Sequence, residues 1–219
     1  MNKGYFITGT DTNVGKTSAT IALMHYFQQQ GKTVVGMKPV AAGCDVKEGQ
    51  LKNADALLIQ ENASLPIDYQ LVNPYAYQLP ISPHLAGLSN PVVLATVLEK
   101  FAILKDLAEI VLVEGAGGWH CPLNQHQDIS DLAEALALPV IVAVAIKLGC
   151  INHAKLTYLA IQNSSVSCAG WIAVCLDPDM LYSHETLESI RAVLPVPLLG
   201  TIPYSENGVY TLLENPLAW

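Results

Sequence analysis

Short apolar runs alternate with longer amphipathic stretches along nearly the whole chain. The runs at residues 5–8, 33–38, 110–113, 140–145, 168–174 and 198–202 are almost uninterrupted, which predicts strands buried on both faces. Between them, residues 18–30, 92–105, 129–136, 151–162 and 180–193 carry helical spacing. In the first of these, Ile21, Leu23, Met24 and Phe27 form a broad inner face, and Gly31 is a natural stop. A shorter helix is predicted over 51–60, and 40–49 reads as a loop. Strands alternating with helices predict an α/β fold of three layers (α/β/α) around a mostly parallel sheet with right-handed crossovers. The middle, residues 62–91, breaks this rhythm: it is rich in Pro, Tyr and Ser, with a short helix predicted at 83–88. It reads as a lid or a wall laid over one edge. At the far end, Leu212, Leu213 and Trp219 predict a packed tail.

The run GTDTNVGKT, residues 9–17, stands between the first strand and the first helix. Gly9 and Gly15 let the backbone turn so that successive N–H groups face one concavity, to which the helix start adds its free N–H groups and positive dipole end. Lys16 is placed to reach outer phosphates, and Thr17 to offer its hydroxyl to Mg²⁺. Five residues separate the two glycines, where the common motif has four. The alternative, an ordinary glycine loop with a solvated lysine, leaves the Gly-Lys-Thr ending to chance. A P-loop NTPase-like fold is therefore expected.

The 219 residues are 51% apolar, enough for one sizeable core, and residues 1–219 are read as a single domain. A net charge of -8 with 11 Lys plus Arg leaves no basic patch for nucleic acid or an anionic membrane. The five cysteines form no CxxC pair, and no apolar run reaches the length of about 18 residues that a bilayer requires. With no basic-then-apolar leader, a soluble, cytoplasmic protein is expected.

In open parallel sheets, ligands gather beyond the carboxyl ends of the strands. Lys38, Glu114 and Lys147 all fall there, with the glycine loop. Glu114 opens EGAGG at the end of a buried run, so it is either paired, metal-bound or exposed in a turn. Lys38 either neutralises phosphoryl oxygens or packs its stem on the sheet edge with its charge in water. Asp55 is either a helix cap or a ligand. Gly149, Cys150, Ile151 and Asn152 begin a helix whose free N–H groups suit a carboxylate. Cys150 is as readily a packed thiol as a reactive one.

The segments GTDTNVGKT, KPVAAG, NADA, NPYAY, SPH, VEGAGGW, AIKLGCINH, AGW and LLGTIPY together resemble dethiobiotin synthetase, in that family's order and over nearly the whole chain. The resemblance implies a homodimer that uses ATP, Mg²⁺ and CO₂ to close the ureido ring of dethiobiotin on 7,8-diaminopelargonic acid. It implies that Thr12 and Lys16, with the loop amides from Asp11 through Asn13, Val14 and Gly15, hold the phosphates. Thr17, Asp55 and Glu114 match its Mg²⁺ ligands, and Lys38 the lysine that contacts the carbamate and γ-phosphate. Gly117 and Gly118 line the diamine site, and Gly149–Asn152 of the other subunit would hold the far carboxylate. Base contacts are expected from the backbone near 202–207, including Pro203 and Glu206. Three positions depart from the family: Ala42 where a serine is frequent, Asn13 where some members carry an acid, and Val174 where an asparagine commonly reads adenine. Valine offers a base no hydrogen bond, so relaxed discrimination among nucleoside triphosphates is expected. The rival readings are a cobyric-acid-type synthetase of the same branch and a non-catalytic switch resembling the partitioning ATPases.

Overall fold

In a computed structural model of the chain, which describes residues 4–205, the alternation resolves into ten strands and eight helices. Glu206 and the predicted tail contacts lie outside the described residues. The order is β1 (Gly4–Gly9), α1 (Lys16–Gln29), β2 (Val34–Met37), β3 (Val40–Ala42), β4 (Asp45–Lys47), β5 (Gln50–Lys52), α2 (Ala54–Glu61) and α3 (Tyr69–Val72). It continues with β6 (Tyr75–Tyr77), α4 (Pro83–Ala86), α5 (Leu94–Leu107), β7 (Ile110–Glu114), α6 (Ile129–Leu136) and β8 (Val140–Ala145), then α7 (Cys150–Gln162), β9 (Cys168–Val174), α8 (Ser183–Val193) and β10 (Leu198–Ile202).

Six strands form one sheet in the order β10-β9-β8-β1-β7-β2, and every pairing in it is parallel. The chain steps one way from β1 to β2 and the other way from β7 to β10. Right-handed crossovers in opposite directions cover opposite faces, which yields the three α/β/α layers. Both faces are therefore dry, and β8 is buried at all its positions, the reason its sequence runs VIVAVA without a polar residue. The reversal of direction beside β1 is the switch point at which such sheets bind ligands.

Residues 40–49, expected as a loop, hold structure instead. β3 pairs in parallel with β6, Val40 opposite Tyr75, and β4 and β5 form a small antiparallel hairpin. Three-residue strands are too short for a hydrophobic period to announce them. The middle segment is thus a wall fastened to the sheet edge rather than a detached lid. A buried polar chain fastens it: the Asn53 N–H donates to Tyr69 Oη at 2.7 Å, and Tyr69 donates to Asn73 Oδ1 at 2.9 Å. Asn73 Nδ2 donates in turn to the carbonyls of Lys38 at 2.7 Å and Tyr75 at 3.2 Å. Because each buried group finds a partner, the network rigidifies the end of β2.

Gly36 on β2 sets the distance to α2. A Cβ there would overlap Ile59 Cγ2, which is itself fully buried. Gly36→Ala is therefore expected to destabilise the fold by about 1–3 kcal/mol through overpacking. The check is a urea titration showing a lower midpoint with an unchanged slope; an unaltered midpoint would contradict this account of the α2 contact.

Candidate functional site

Four elements meet at one place. β1 and β7 are neighbours with Ile7 opposite Glu114, so the glycine loop leaving β1 and the acid closing β7 emerge side by side. α1 starts directly from the loop, and α2 arrives from the β2 side, bringing Asp55. Between them opens a cavity of about 840 Å³ whose polar wall includes Lys16, Thr17, Lys38, Asp55 and Glu114.

Glu114 has no solvent exposure. Its Oε1 accepts from Thr17 Oγ1 at 3.0 Å and from Lys38 Nζ at 2.5 Å, and its Oε2 accepts from Thr20 Oγ1 at 3.0 Å. Lys38 Nζ also reaches Asp55 Oδ2 at 3.1 Å. A buried carboxylate stripped of partners is strongly unfavourable, so of the readings open for Glu114 the turn-exposed one is excluded. Lys38 is likewise inside the cavity rather than at a wet edge. Burial alone pushes its ammonium pKa down, but the charges and hydrogen bonds of Glu114 and Asp55 outweigh that and hold it above the ordinary lysine value. Lys16 lies just as deep, donating to the Asp11 carbonyl at 2.9 Å. Burial lowers its pKa to about 8, with Glu114 pulling upward and Lys38 reinforcing the drop. An anion beside Lys16 would favour its charged form, as Glu114 and Asp55 do for Lys38.

Asp55 is not the helix cap. Asn53 caps α2 by accepting from the Ala56 N–H at 3.2 Å, which leaves the Asp55 carboxylate in the first turn free to face Lys38. Gly15 caps α1 in a left-handed conformation (φ 84°), and a Cβ there would stand 2.6 Å from Val174 Cγ1. Val174 is buried against the loop it supports. Within the loop, Asn13 also has positive φ (56°), which asparagine tolerates, while Asp11 Oδ1 accepts from the Thr12 N–H at 2.7 Å. Thr12 and Asn13 line the cavity; Val14 is buried beneath it.

Ala42, Gly117 and Gly118 line the cavity as well. Pro203 is partly buried just after β10 and does not line it. Nor do Lys147 and the start of α7: Lys147, Gly149, Ile151 and Asn152 are exposed, and Cys150 is packed inside. The expectation that Lys147 shares the cavity with the loop is thus corrected, because the chain turns outward two residues beyond β8. Sequence reasoning missed Thr20, Ser82 and Cys121. Ser82 lines the cavity with its Oγ 2.9 Å from His84 Nδ1. Cys121 lines it too, and burial pushes its thiol pKa up, the opposite of an activated nucleophile. The one available signal was Thr20, a hydroxyl one turn past Thr17 in an otherwise apolar helix.

Two carboxylates and a hydroxyl, all hard oxygen donors, converge at Thr17, Asp55 and Glu114. Among the described residues no group of three or more His, Cys, Asp or Glu side chains gathers as a complete cation cage. Oxygen donors of this kind are the ones Mg²⁺ uses when phosphate and water complete its shell.

A family model described as an AAA domain matches residues 3–208. Among solved structures, the MinC:MinD cell division protein complex of Aquifex aeolicus superposes with a TM-score of 0.59 at 15% identity, covering 94% of this chain and 83% of that one. The signal recognition particle receptor FtsY of Elizabethkingia anophelis gives 0.57 at 17% identity, covering 98% and 63%. At such identities the likeness speaks for the fold alone. The ATP-dependent dethiobiotin synthetase BioD of Aeromonas hydrophila subsp. hydrophila is 44% identical over 99% of this chain and 97% of its own length. The BioD of Nitrosospira multiformis is 46% identical over 94% and 91%. A likeness of that depth across both proteins, over a fold that brings Lys16, Lys38 and Glu114 together, means that the chain belongs to the dethiobiotin synthetase family.

Proposed function

We propose that this chain carboxylates 7,8-diaminopelargonic acid with CO₂ and closes the ureido ring of dethiobiotin at the expense of ATP. The observation that carries the reading is the convergence of two buried lysines and two acids on the amino end of α1, in a chain of this family. An amine of the substrate adds CO₂ and loses a proton to give a carbamate. The carbamate oxygen attacks the γ-phosphorus, ADP leaves, and a mixed carbamic–phosphoric anhydride remains. The second amine then attacks the activated carbonyl, the C–O bond to phosphate breaks, and the ring closes with release of a proton.

In this reading no side chain forms a covalent bond; the residues position the reactants and balance their charge. The loop amides from Asp11 to Thr17, with Thr12 and Lys16, cradle the phosphates. Lys38, buried between Asp55 and Glu114, faces the carbamate and the γ-phosphate. Ala42, Gly117 and Gly118 form the diamine wall. Thr17, Asp55 and Glu114 would hold Mg²⁺, whose charge offsets that of the phosphate oxygens. The carboxylate of the diamine would reach Gly149–Asn152 of a second copy, a cytoplasmic homodimer being the assembly proposed. The outward-facing start of α7, with Leu148 98% exposed and Ile151 beside it, supports that arrangement.

Incubation of the protein with diaminopelargonic acid, bicarbonate and MgATP is expected to yield dethiobiotin by mass, with one ADP per ring closed; nucleotide-dependent dimerisation without product would favour a switch instead. Lys38→Met should lower kcat by about 10²-fold or more while changing KM for MgATP far less, as expected for a charge that matters most in the transition state. A kcat within threefold or so of the parent would remove Lys38 from the chemistry. Because Val174 offers no hydrogen bond and packs on Gly15, ATP should exceed GTP, CTP and UTP in kcat/KM by less than about a hundredfold. A larger preference would mean that base contacts elsewhere compensate.

A further inference from the structure

Thr20 lies one turn beyond Thr17 on α1, with no solvent exposure. Threonine in a helix commonly turns its hydroxyl back to the carbonyl four residues earlier, and here Oγ1 is 3.0 Å from the Lys16 carbonyl. The same oxygen is also 3.0 Å from Glu114 Oε2, across to the end of β7. A hydroxyl has one proton to give. The Lys16 carbonyl already stands in the helical ladder, whereas the carboxylate is charged and buried, so the charge-assisted bond to Oε2 is the stronger claim on that proton.

The consequence lies in the geometry of the other oxygen. Oε1 faces Thr17 and Lys38, both of which line the cavity. Held through Oε2 from behind and Oε1 from in front, the carboxylate plane has one orientation. With Oε2 released, the bonds from Thr17 and Lys38 to Oε1 still leave the carboxylate plane free to swing about its terminal torsion, which is intrinsically broad.

We propose that Thr20 is a positioning residue that fixes the Glu114 carboxylate for metal-assisted nucleotide binding. The inference rests on the proposed role of Glu114 as a Mg²⁺ ligand and extends it one shell outward. Partners of that kind, which orient a ligand without touching the metal, typically change metal affinity by about 10–100-fold when removed. The Thr20 hydroxyl bonds to the Lys16 carbonyl and Glu114 Oε2, not to the loop amides or Lys16 Nζ, so phosphate binding without metal should be spared.

The test compares the dissociation constant of a non-hydrolysable ATP analogue in Mg²⁺ with that in EDTA, by calorimetry, for the parent, Thr20→Val, Thr20→Ala and Thr20→Ser. The parent should bind more tightly with Mg²⁺. Thr20→Val, close to isosteric, should lose about tenfold of that gain with its EDTA value unchanged, and Thr20→Ser should keep it. In turnover, the Mg²⁺ concentration for half-maximal rate should rise in Thr20→Val while KM for the diamine stays put. Should Thr20→Val fail to fold by circular dichroism, Thr20→Ala is read in the same titration. An undiminished Mg²⁺ gain in a folded variant lacking the hydroxyl, or equal losses in Mg²⁺ and EDTA, overturns the role of Thr20. Absence of any Mg²⁺ gain in the parent and in Glu114→Gln alike overturns the metal reading of Glu114 itself.

Discussion

A carboxylate sealed from water at the end of β7 is the constraint around which the site is arranged. Glu114 keeps its place because Lys38 lies against one oxygen while Thr17 and Thr20 supply hydroxyls to the two. These partners come from two commitments of the chain. α1 must start within hydrogen-bonding distance of β7, so β1 must lie beside it. β2 must end with its lysine pointing inward, which the Asn53–Tyr69–Asn73 network secures through the Lys38 carbonyl. Coulomb attraction in such a dry place is strong, but desolvation is costly too, and a buried pair is poor evidence of added stability. In the proposed reaction its use is poise: a cation and two acids held ready beside a cradle for anions.

The charge balance of the cavity follows from that arrangement. Lys38 is held in its charged form by two acids, whereas Lys16, whose ammonium donates to the Asp11 carbonyl, has its pKa pushed down to about 8 by burial. A triphosphate bound over the loop would supply what Lys16 lacks. The same anion, with a divalent cation, would give Glu114 and Asp55 a second partner and so let Lys38 turn toward substrate. One small set of side chains can thus serve both the resting fold and the reaction.

Much of this was legible in the chain. Strands buried on both faces must be apolar throughout, so β8, β9 and β10 fall where continuous runs place them, and α6 matches its period to the residue. The glycine loop and Glu114 could be read because each breaks an apolar pattern at a strand end. What stayed hidden depends on contacts far apart in sequence. The β3–β6 pairing joins two three-residue segments with no period of their own. Asp55 was ambiguous until Asn53 proved to be the cap, since either residue suits a helix start. Lys147 looked like Lys38, a lysine after an apolar run, and only the path of the chain beyond β8 sets it outside.

The most direct measurement is a crystal structure of the protein with Mg²⁺ and a non-hydrolysable ATP analogue. The account predicts phosphates over the amides of residues 11–17, a cation about 2.1 Å from Thr17 Oγ1, and Lys38 Nζ drawn from Glu114 toward the terminal phosphate. Phosphates bound elsewhere, with the Lys38–Glu114 pair intact and no cation beside Thr17, would contradict it.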